Sequence, residues 1–319
     1  MKIFLGFCFF VVNIFAVATF SPIATIDING TAKDMVLRNN HLIVATDMGH
    51  IEVYDTTSRK KLKEIIIPAV KDFMGDIIPA RVMSTDAIKD AYLLLSDSGK
   101  GGYADLYFYK NDKLTKLLGP EDKEAIIKAR FVDDTHILLG YLSDEIALLD
   151  IVNKKELYRV QLSESKFSDF MLNEDKTKVI TACESGVLTL VDVQSGKILK
   201  ELQGQNVDNI YKVDFKNALV SGAGQDQRGS LYDIKNGKGN YIKGSFLIYG
   251  TALSPSAKKV AFSMDEKNDI SIYNTSSKSK IALLKGQKST LNVIIFKDEN
   301  ILFSASDDST IMMWDLDKK

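Results

Sequence analysis

Cysteine and histidine are scarce in this 319-residue chain, which has two Cys and three His. Cys8 lies in an N-terminal apolar segment and Cys183 in the apolar run KVITAC, so we expect no disulfide in the folded domain. Cys183 is expected to be a buried, unreactive thiol. Three separated His and one such Cys do not build a common zinc or copper site. A Cys-x-x-Cys-His motif for haem attachment is also missing, so we expect no metal and no cofactor.

An excess of charge of either sign is lacking as well. The 41 Lys and Arg residues nearly balance the 42 Asp and Glu residues, and only six of the basic residues are Arg. Such a chain has no strong electrostatic field to attract nucleic acid or an anionic membrane. Few Arg residues also argue against phosphate recognition. We therefore do not expect nucleic acid to be a partner.

Catalytic motifs are missing too. The chain has no Gly-x-Ser-x-Gly and no phosphate loop, and GAGQDQRG (222–229) joins two predicted strands, where no helix N-terminus follows to receive phosphate. We therefore predict a protein that is not an enzyme. An enzyme or a small-ligand sensor with a site in a central channel remains an alternative.

An apolar N-terminal run, KIFLGFCFFVVNIFAVA, ends in the small-x-small pattern of Ala16-Val17-Ala18. This pattern predicts a secretory signal peptide over residues 1–18, with cleavage after Ala18. An uncleaved anchor is the alternative, but the run is shorter than the roughly 20 apolar residues that a span needs and it contains Asn13. No twin-Arg pair is present. The predicted location is the periplasm, with no stable membrane insertion after cleavage.

A repeated unit accounts for the rest of the chain. Seven segments run from an apolar strand through a polar turn into a second strand, which closes on an aromatic or aliphatic residue followed, in most copies, by Asp. The closing positions are Asp55, Lys110, Asp150, Asp192, Asp233, Asn274 and Asp315. Their spacings are 55, 40, 42, 41, 41 and 41 residues. A period near 41 with several strands per unit predicts four-stranded propeller blades.

The segment SASDDSTIMMWDL (304–316) resembles a WD-repeat strand pair, and the other six segments resemble degenerate copies of it. The predicted fold is an all-β, seven-bladed, WD40-like β-propeller forming one domain over residues 19–319. The chain stops after the third strand of the last blade, so Ile23–Ile28 is predicted to supply the fourth strand and close the ring. Small residues at the end of the first strand of each segment, such as Ala45-Thr46, predict that this strand is an inner strand of its blade. The first interval is longer than the others and predicts a long loop within residues 68–90.

One face of the predicted propeller gathers the turns within these strand pairs and the loops that enter each blade. We expect this face to bind a protein partner, with Phe73, Met74 and Arg228 as the strongest anchors because interface hot spots favour aromatics and Arg. Calcium bound by turn carboxylates is an alternative, but we interpret these residues as turn formers. The residues predicted for the partner-binding face are Asp47, His50, Lys71, Phe73, Met74, Phe167, Arg228 and Lys288.

Over its whole length the chain resembles the WD-repeat accessory proteins encoded beside bacterial periplasmic nitrate reductases. This resemblance implies a protein that supports maturation or assembly of the periplasmic nitrate reductase system, or electron delivery to it. We expect a monomeric, non-catalytic scaffold. The metal and haem centres would then belong to partner subunits.

Overall fold

The computed structural model describes residues 17–318. The predicted signal peptide falls mainly on residues 1–16, outside the described residues, and it stays a prediction. Among residues 17–318 there is no helix long and apolar enough to cross a membrane. The helical content of this part is a single short 3-10 turn at Pro120–Asp122.

The described chain is built from 31 strands, most of them in seven antiparallel sheets arranged as blades. Two N-terminal strands precede the first blade, namely β1 (Ala18–Phe20) and β2 (Ala24–Asp27). Blade 1 contains β3 (Ala32–Arg38), β4 (His41–Thr46), β5 (His50–Asp55) and β6 (Lys61–Ile66). A small hairpin of β7 (Val70–Lys71) and β8 (Ile77–Ile78) separates it from blade 2. Blade 2 contains β9 (Val82–Ile88), β10 (Ala91–Asp97), β11 (Ala104–Lys110) and β12 (Lys113–Leu118).

The remaining blades follow in chain order. Blade 3 contains β13 (Ile126–Phe131), β14 (His136–Tyr141), β15 (Glu145–Asp150) and β16 (Lys155–Gln161). Blade 4 contains β17 (Phe167–Leu172), β18 (Lys178–Cys183), β19 (Leu188–Asp192) and β20 (Ile198–Leu202). Blade 5 contains β21 (Ile210–Lys216), β22 (Leu219–Gly224), β23 (Arg228–Asp233) and β24 (Gly239–Lys243). Blade 6 contains β25 (Thr251–Leu253), β26 (Lys259–Ser263), β27 (Ile270–Asn274) and β28 (Lys280–Leu284). Blade 7 contains β29 (Leu291–Phe296), β30 (Ile301–Ser306) and β31 (Thr310–Asp315).

The first strand of each blade lies at the centre of the ring. Each of these strands contacts the first strand of both neighbouring blades, from β3 to β9 and onward through β29 back to β3. The predicted seven-bladed propeller is therefore confirmed. The prediction that the small-residue strands are inner strands is confirmed, because β4 and its counterparts are second from the centre. Their small residues are packed between two strands of their own sheet and the neighbouring blade.

All seven closing residues predicted from the sequence end the third strand of a blade. In six blades the closing Asp or Asn accepts hydrogen bonds from backbone N–H groups of the turn that follows. Asp55 Oδ1, for example, accepts from the N–H groups of Thr57 at 3.1 Å and Ser58 at 2.6 Å. Asp and Asn are favoured at turns for this reason, so the repeated Asp is a signal of the fold. Lys110 is the exception, and its blade uses a tight turn in which Asn111 and Asp112 both have positive φ.

The N-terminal strand closes the ring as predicted. Strand β2 pairs antiparallel with β31, in register from Ala24 with Met313 to Asp27 with Thr310. Backbone hydrogen bonds at Ile23 and Ile28 extend this ladder at both ends. A second closure was not predicted, since β1 adds a parallel fifth strand to blade 6 through β28. Trp314 is fully buried in the cluster between blades 6 and 7, and Phe20 from β1 belongs to the same cluster.

Cys183 is buried at the end of β18, as predicted. Its Sγ lies 3.1 Å from Ser185 Oγ. A thiol enclosed in this way behaves as a small core residue.

Candidate functional site

Because consecutive strands of each blade run antiparallel, two kinds of loop lie on the same face of the ring. These are the turns between second and third strands and the loops that join one blade to the next, and we call this side the loop face. The long segment that joins blade 1 to blade 2 lies on the loop face. It contains the predicted loop, which folds as the β7–β8 hairpin. All eight predicted partner residues lie in or beside loop-face segments.

The segment 70–78, which we call the 70–78 hairpin, is stabilised by hydrogen bonds within its own turn. Asp72 Oδ1 accepts hydrogen bonds from the N–H groups of Met74 and Asp76, both at 2.9 Å. Gly75 has φ +92°, a region that side chains with a Cβ rarely adopt. The base packs on blade 2, because a Cβ added at Gly99 would lie 2.3 Å from the Lys71 carbonyl oxygen. The tip is therefore a structured projection from the loop face.

Large apolar side chains cover this projection. Phe73 is 92% exposed and Met74 is 72% exposed, although burial of such side chains is usual. Ile77 is exposed on the same hairpin, and Met48 and Ile66 are exposed on the adjacent segments of blade 1. A cluster of exposed apolar residues on a rigid support is typical of an interaction site.

The side chain of Phe167 is buried and is not part of the loop-face surface. Its side chain is 3% exposed and packs edge-on against Phe170, with ring centroids 6.2 Å apart. Gly140 leaves the space that its ring occupies, since a Cβ there would lie 2.6 Å from the ring. Placing Phe167 on the partner-binding face is therefore corrected: only its backbone lies at the loop face, because the first residue of β17 points into the core.

Asp47 and Arg228 are held by neighbouring groups of the propeller. Asp47 accepts hydrogen bonds from the backbone N–H and the hydroxyl of Thr31, at 2.8 and 2.5 Å. Burial tends to raise the pKa of Asp47, but these bonds outweigh it and lower the pKa. Arg228 stacks 4.5 Å above the Tyr241 ring and donates to the Gln205 carbonyl oxygen. Lys288 is exposed.

His50 belongs to a polar cluster with Glu52 and Glu64, which was not predicted as a metal site. Ligand atoms of these three residues lie within 4.8 Å of one another. Lys61 Nζ, however, donates to Glu52 at 2.7 Å and to Glu64 at 3.1 Å. Tyr54 also donates to Glu52, at 2.6 Å. Because the Lys61 ammonium already compensates both carboxylates, the cluster is satisfied as a hydrogen-bond network.

The centre of the ring carries charged residues that are not among the predicted site residues. Arg130 on β13 reaches across blade 2 to Asp34 on β3, with nitrogen–oxygen distances of 2.9 and 2.8 Å. It also donates to Ser84 Oγ and to the Thr85 carbonyl oxygen. Burial alone would raise the pKa of Asp34, but the charge of Arg130 outweighs it and the pKa is lowered. This ion pair ties three blades together at the axis.

A second buried ion pair joins Lys128 on β13 to Asp169 on β17. Burial is the main influence on Lys128 and lowers its pKa to about 8, although the Asp169 carboxylate opposes the shift. Asp169 also accepts a hydrogen bond from the Val213 backbone N–H at 3.0 Å. Burying two charges is costly unless each has such partners.

Asp169 is one of four inner-strand Asp residues that accept a backbone hydrogen bond from the next blade. The pairs are Asp34 with Thr85, Asp86 with Phe131, Asp169 with Val213 and Asp214 with Leu253, at 2.7 to 3.0 Å. The sequence signal for these residues is an Asp within an otherwise apolar innermost strand. A buried charge at such a position needs a partner, so the Asp itself indicates one.

No family model matches the chain. It is similar to the WD repeat-containing protein 26 homolog of Arabidopsis thaliana, with 24% identity over 198 residues. The chain is a seven-bladed β-propeller. The match covers 59% of this chain and 33% of the relative, so the chain spans about a third of that protein's length. The resemblance to WD repeats that segment 304–316 indicates is supported by this match and by the seven blades.

Proposed function

We propose that this propeller is a non-catalytic scaffold that binds a protein partner through the 70–78 hairpin. The observation that carries the proposal is the exposure of Phe73 and Met74 on a turn fixed by Asp72. A rigid apolar projection suits insertion into an apolar pocket or groove of another protein, because little conformational entropy is lost on binding.

The charge distribution supports a protein partner. Basic and acidic residues are balanced over the whole chain, which offers no general attraction to a polyanion. Around the hairpin tip, the carboxylates of Asp72 and Asp76 flank the apolar side chains. An apolar centre with a polar rim is the usual anatomy of a protein interface.

More specifically, we propose that the chain is exported to the periplasm and supports the periplasmic nitrate reductase system. The small-x-small pattern at Ala16-Val17-Ala18 and the whole-chain resemblance to accessory proteins of that system support this proposal. The role would be maturation, assembly or electron delivery, with the cofactors held by partner subunits. A channel enzyme is disfavoured because two of the channel ion pairs are already internally satisfied.

Deleting the gene is expected to lower periplasmic nitrate reduction without abolishing it. Complementation with the wild-type gene should restore the rate, whereas Phe73→Ser with Met74→Ser should not, because the apolar anchor is lost. The measured quantities are the nitrate reduction rate and the amount of mature reductase.

A matched control uses Val152→Ser with Leu157→Ser, which replaces two exposed apolar residues away from the hairpin. This control should restore the rate fully at equal protein abundance. Normal activity with normal reductase in the deletion strain would refute the nitrate role. Full restoration by the hairpin variant would refute the role of the hairpin.

A further inference from the structure

A cavity of about 430 Å³ occupies the centre of the ring, between the innermost strands. Its volume lies within the range of about 300–1,000 Å³ that is typical of small-molecule sites. The wall formed by blades 1, 3, 4 and 5 is charged, whereas the wall formed by blades 6 and 7 is largely apolar. The cavity therefore has two chemically different sides.

Most charges of the polar wall are paired within the protein. Asp34 pairs with Arg130, and Asp169 pairs with Lys128. Lys212 lines the same cavity from β21, and its Nζ makes no hydrogen bond or ion pair with any residue in the range 17–318. Its charge nevertheless contributes to the lowered pKa of Asp34, so the ammonium lies near the paired groups. Lys212 is thus a cation with capacity for an added anion.

The other carboxylates that line the cavity have partners of their own. Asp214 accepts hydrogen bonds from the backbone N–H groups of Phe215 at 2.8 Å and Leu253 at 2.7 Å. Glu174 accepts from the Asn217 backbone N–H at 2.8 Å. Neither forms an ion pair with Lys212 in the described part of the chain.

The opposite wall offers an apolar surface. Val293 and Ile295 on β29 are only partly buried although they belong to an innermost strand. Gly250 leaves this wall without a side chain at the position before β25. Apolar surface left open to a cavity gains free energy when a ligand covers it, by about 25 cal/mol per Å².

We propose that the central cavity binds a small amphipathic carboxylate. The carboxylate pairs with Lys212, and the apolar body of the ligand lies against Val293 and Ile295. Lys176 and Lys216 also line the cavity and add positive charge along it. This site is separate from the 70–78 hairpin, so the proposal is independent of the partner-binding function.

Calorimetric titration of the full chain tests this site with octanoate, octanol and inorganic phosphate as probes. Octanoate should bind, and the other two should bind at least about tenfold more weakly, because each lacks one of the two required features. Lys212→Met should raise the Kd for octanoate by about tenfold or more, since a charge-assisted hydrogen bond is lost. The matched control Lys113→Met removes an exposed Lys of β12 and should leave the Kd unchanged.

Two further variants keep the test decisive if Lys212→Met does not fold. Lys212→Arg preserves the charge and should bind octanoate within about threefold of wild type, whereas Val293→Ser should bind it more weakly. Absence of octanoate binding by the wild-type chain would overturn the proposal. Equal affinity of folded Lys212→Met, or equal binding of octanol, would overturn it too.

Discussion

Replacing Arg130 with Met is expected to lower the free energy of unfolding by about 3–5 kcal/mol. The side chain is almost fully buried and holds Asp34, Ser84 Oγ and the Thr85 carbonyl oxygen. Met has a similar length but no charge, so the Asp34 carboxylate would remain buried without its cation. An uncompensated buried charge is far more costly than the loss of an exposed pair. Chemical denaturation followed by tryptophan fluorescence of Trp314 measures the change.

The control for this prediction is Arg81→Met, at an exposed residue whose nearest carboxylate, Asp97, is 3.7 Å away. That change should cost less than about 1 kcal/mol, as is usual for surface pairs. The double variant Arg130→Met with Asp34→Asn should recover part of the loss, because the buried charge is removed with its partner. Arg130→Met within about 1 kcal/mol of wild type would contradict the assigned role of the central ion pair.

Replacing Ile26 with Ala is expected to cost about 2–5 kcal/mol, the usual range for removing a buried aliphatic side chain. Ile26 lies in β2, is 5% exposed and packs in the cluster between blades 7 and 1. Its strand joins the N-terminal end of the described chain to the last blade. The space left by the removed side chain would therefore lie where the ring is closed. Thermal unfolding should show one transition at a lower Tm, since the blades support one another in a closed ring.

Thr25→Ala is the matched control because Thr25 precedes Ile26 in the same strand and is exposed. It should change the stability by less than about 0.5 kcal/mol. Equal Tm values for the two variants would mean that β2 does not contribute to the core. That result would contradict ring closure by the N-terminal strand.

The architecture could be predicted because its signals are local and repeated. Each closing Asp or Asn forms a turn with the residues directly after it, so its position is visible in the sequence at a regular spacing. Trp314 and Tyr54 precede such positions and are buried, as the pattern indicated. The fourth strand of blade 7 could be predicted because the last repeat contains only three strands and Ile23–Ile28 is a spare strand.

The central charges could not be predicted in the same way because their partners are distant in sequence. Asp34 and Arg130 are 96 residues apart and meet only when three blades surround the axis. Burial of Phe167 depends on Gly140 in the neighbouring blade, which no local pattern reveals. Strand β1 was overlooked since residues 18–20 border the predicted signal peptide, whose pattern dominates that region.

Photo-crosslinking from position 73 tests partner binding by the hairpin most directly. A benzophenone amino acid replaces Phe73 in one variant and Val152, which is 67% exposed on the opposite face, in the other. Illumination in cells, followed by mass spectrometry, identifies any protein joined to the chain, and the purified partner is then titrated against wild type and the hairpin variant. A partner joined from position 73 and absent from position 152, with binding weakened in the hairpin variant, is the predicted result. No adduct from position 73, or the same adducts from both positions, would contradict binding through the 70–78 hairpin.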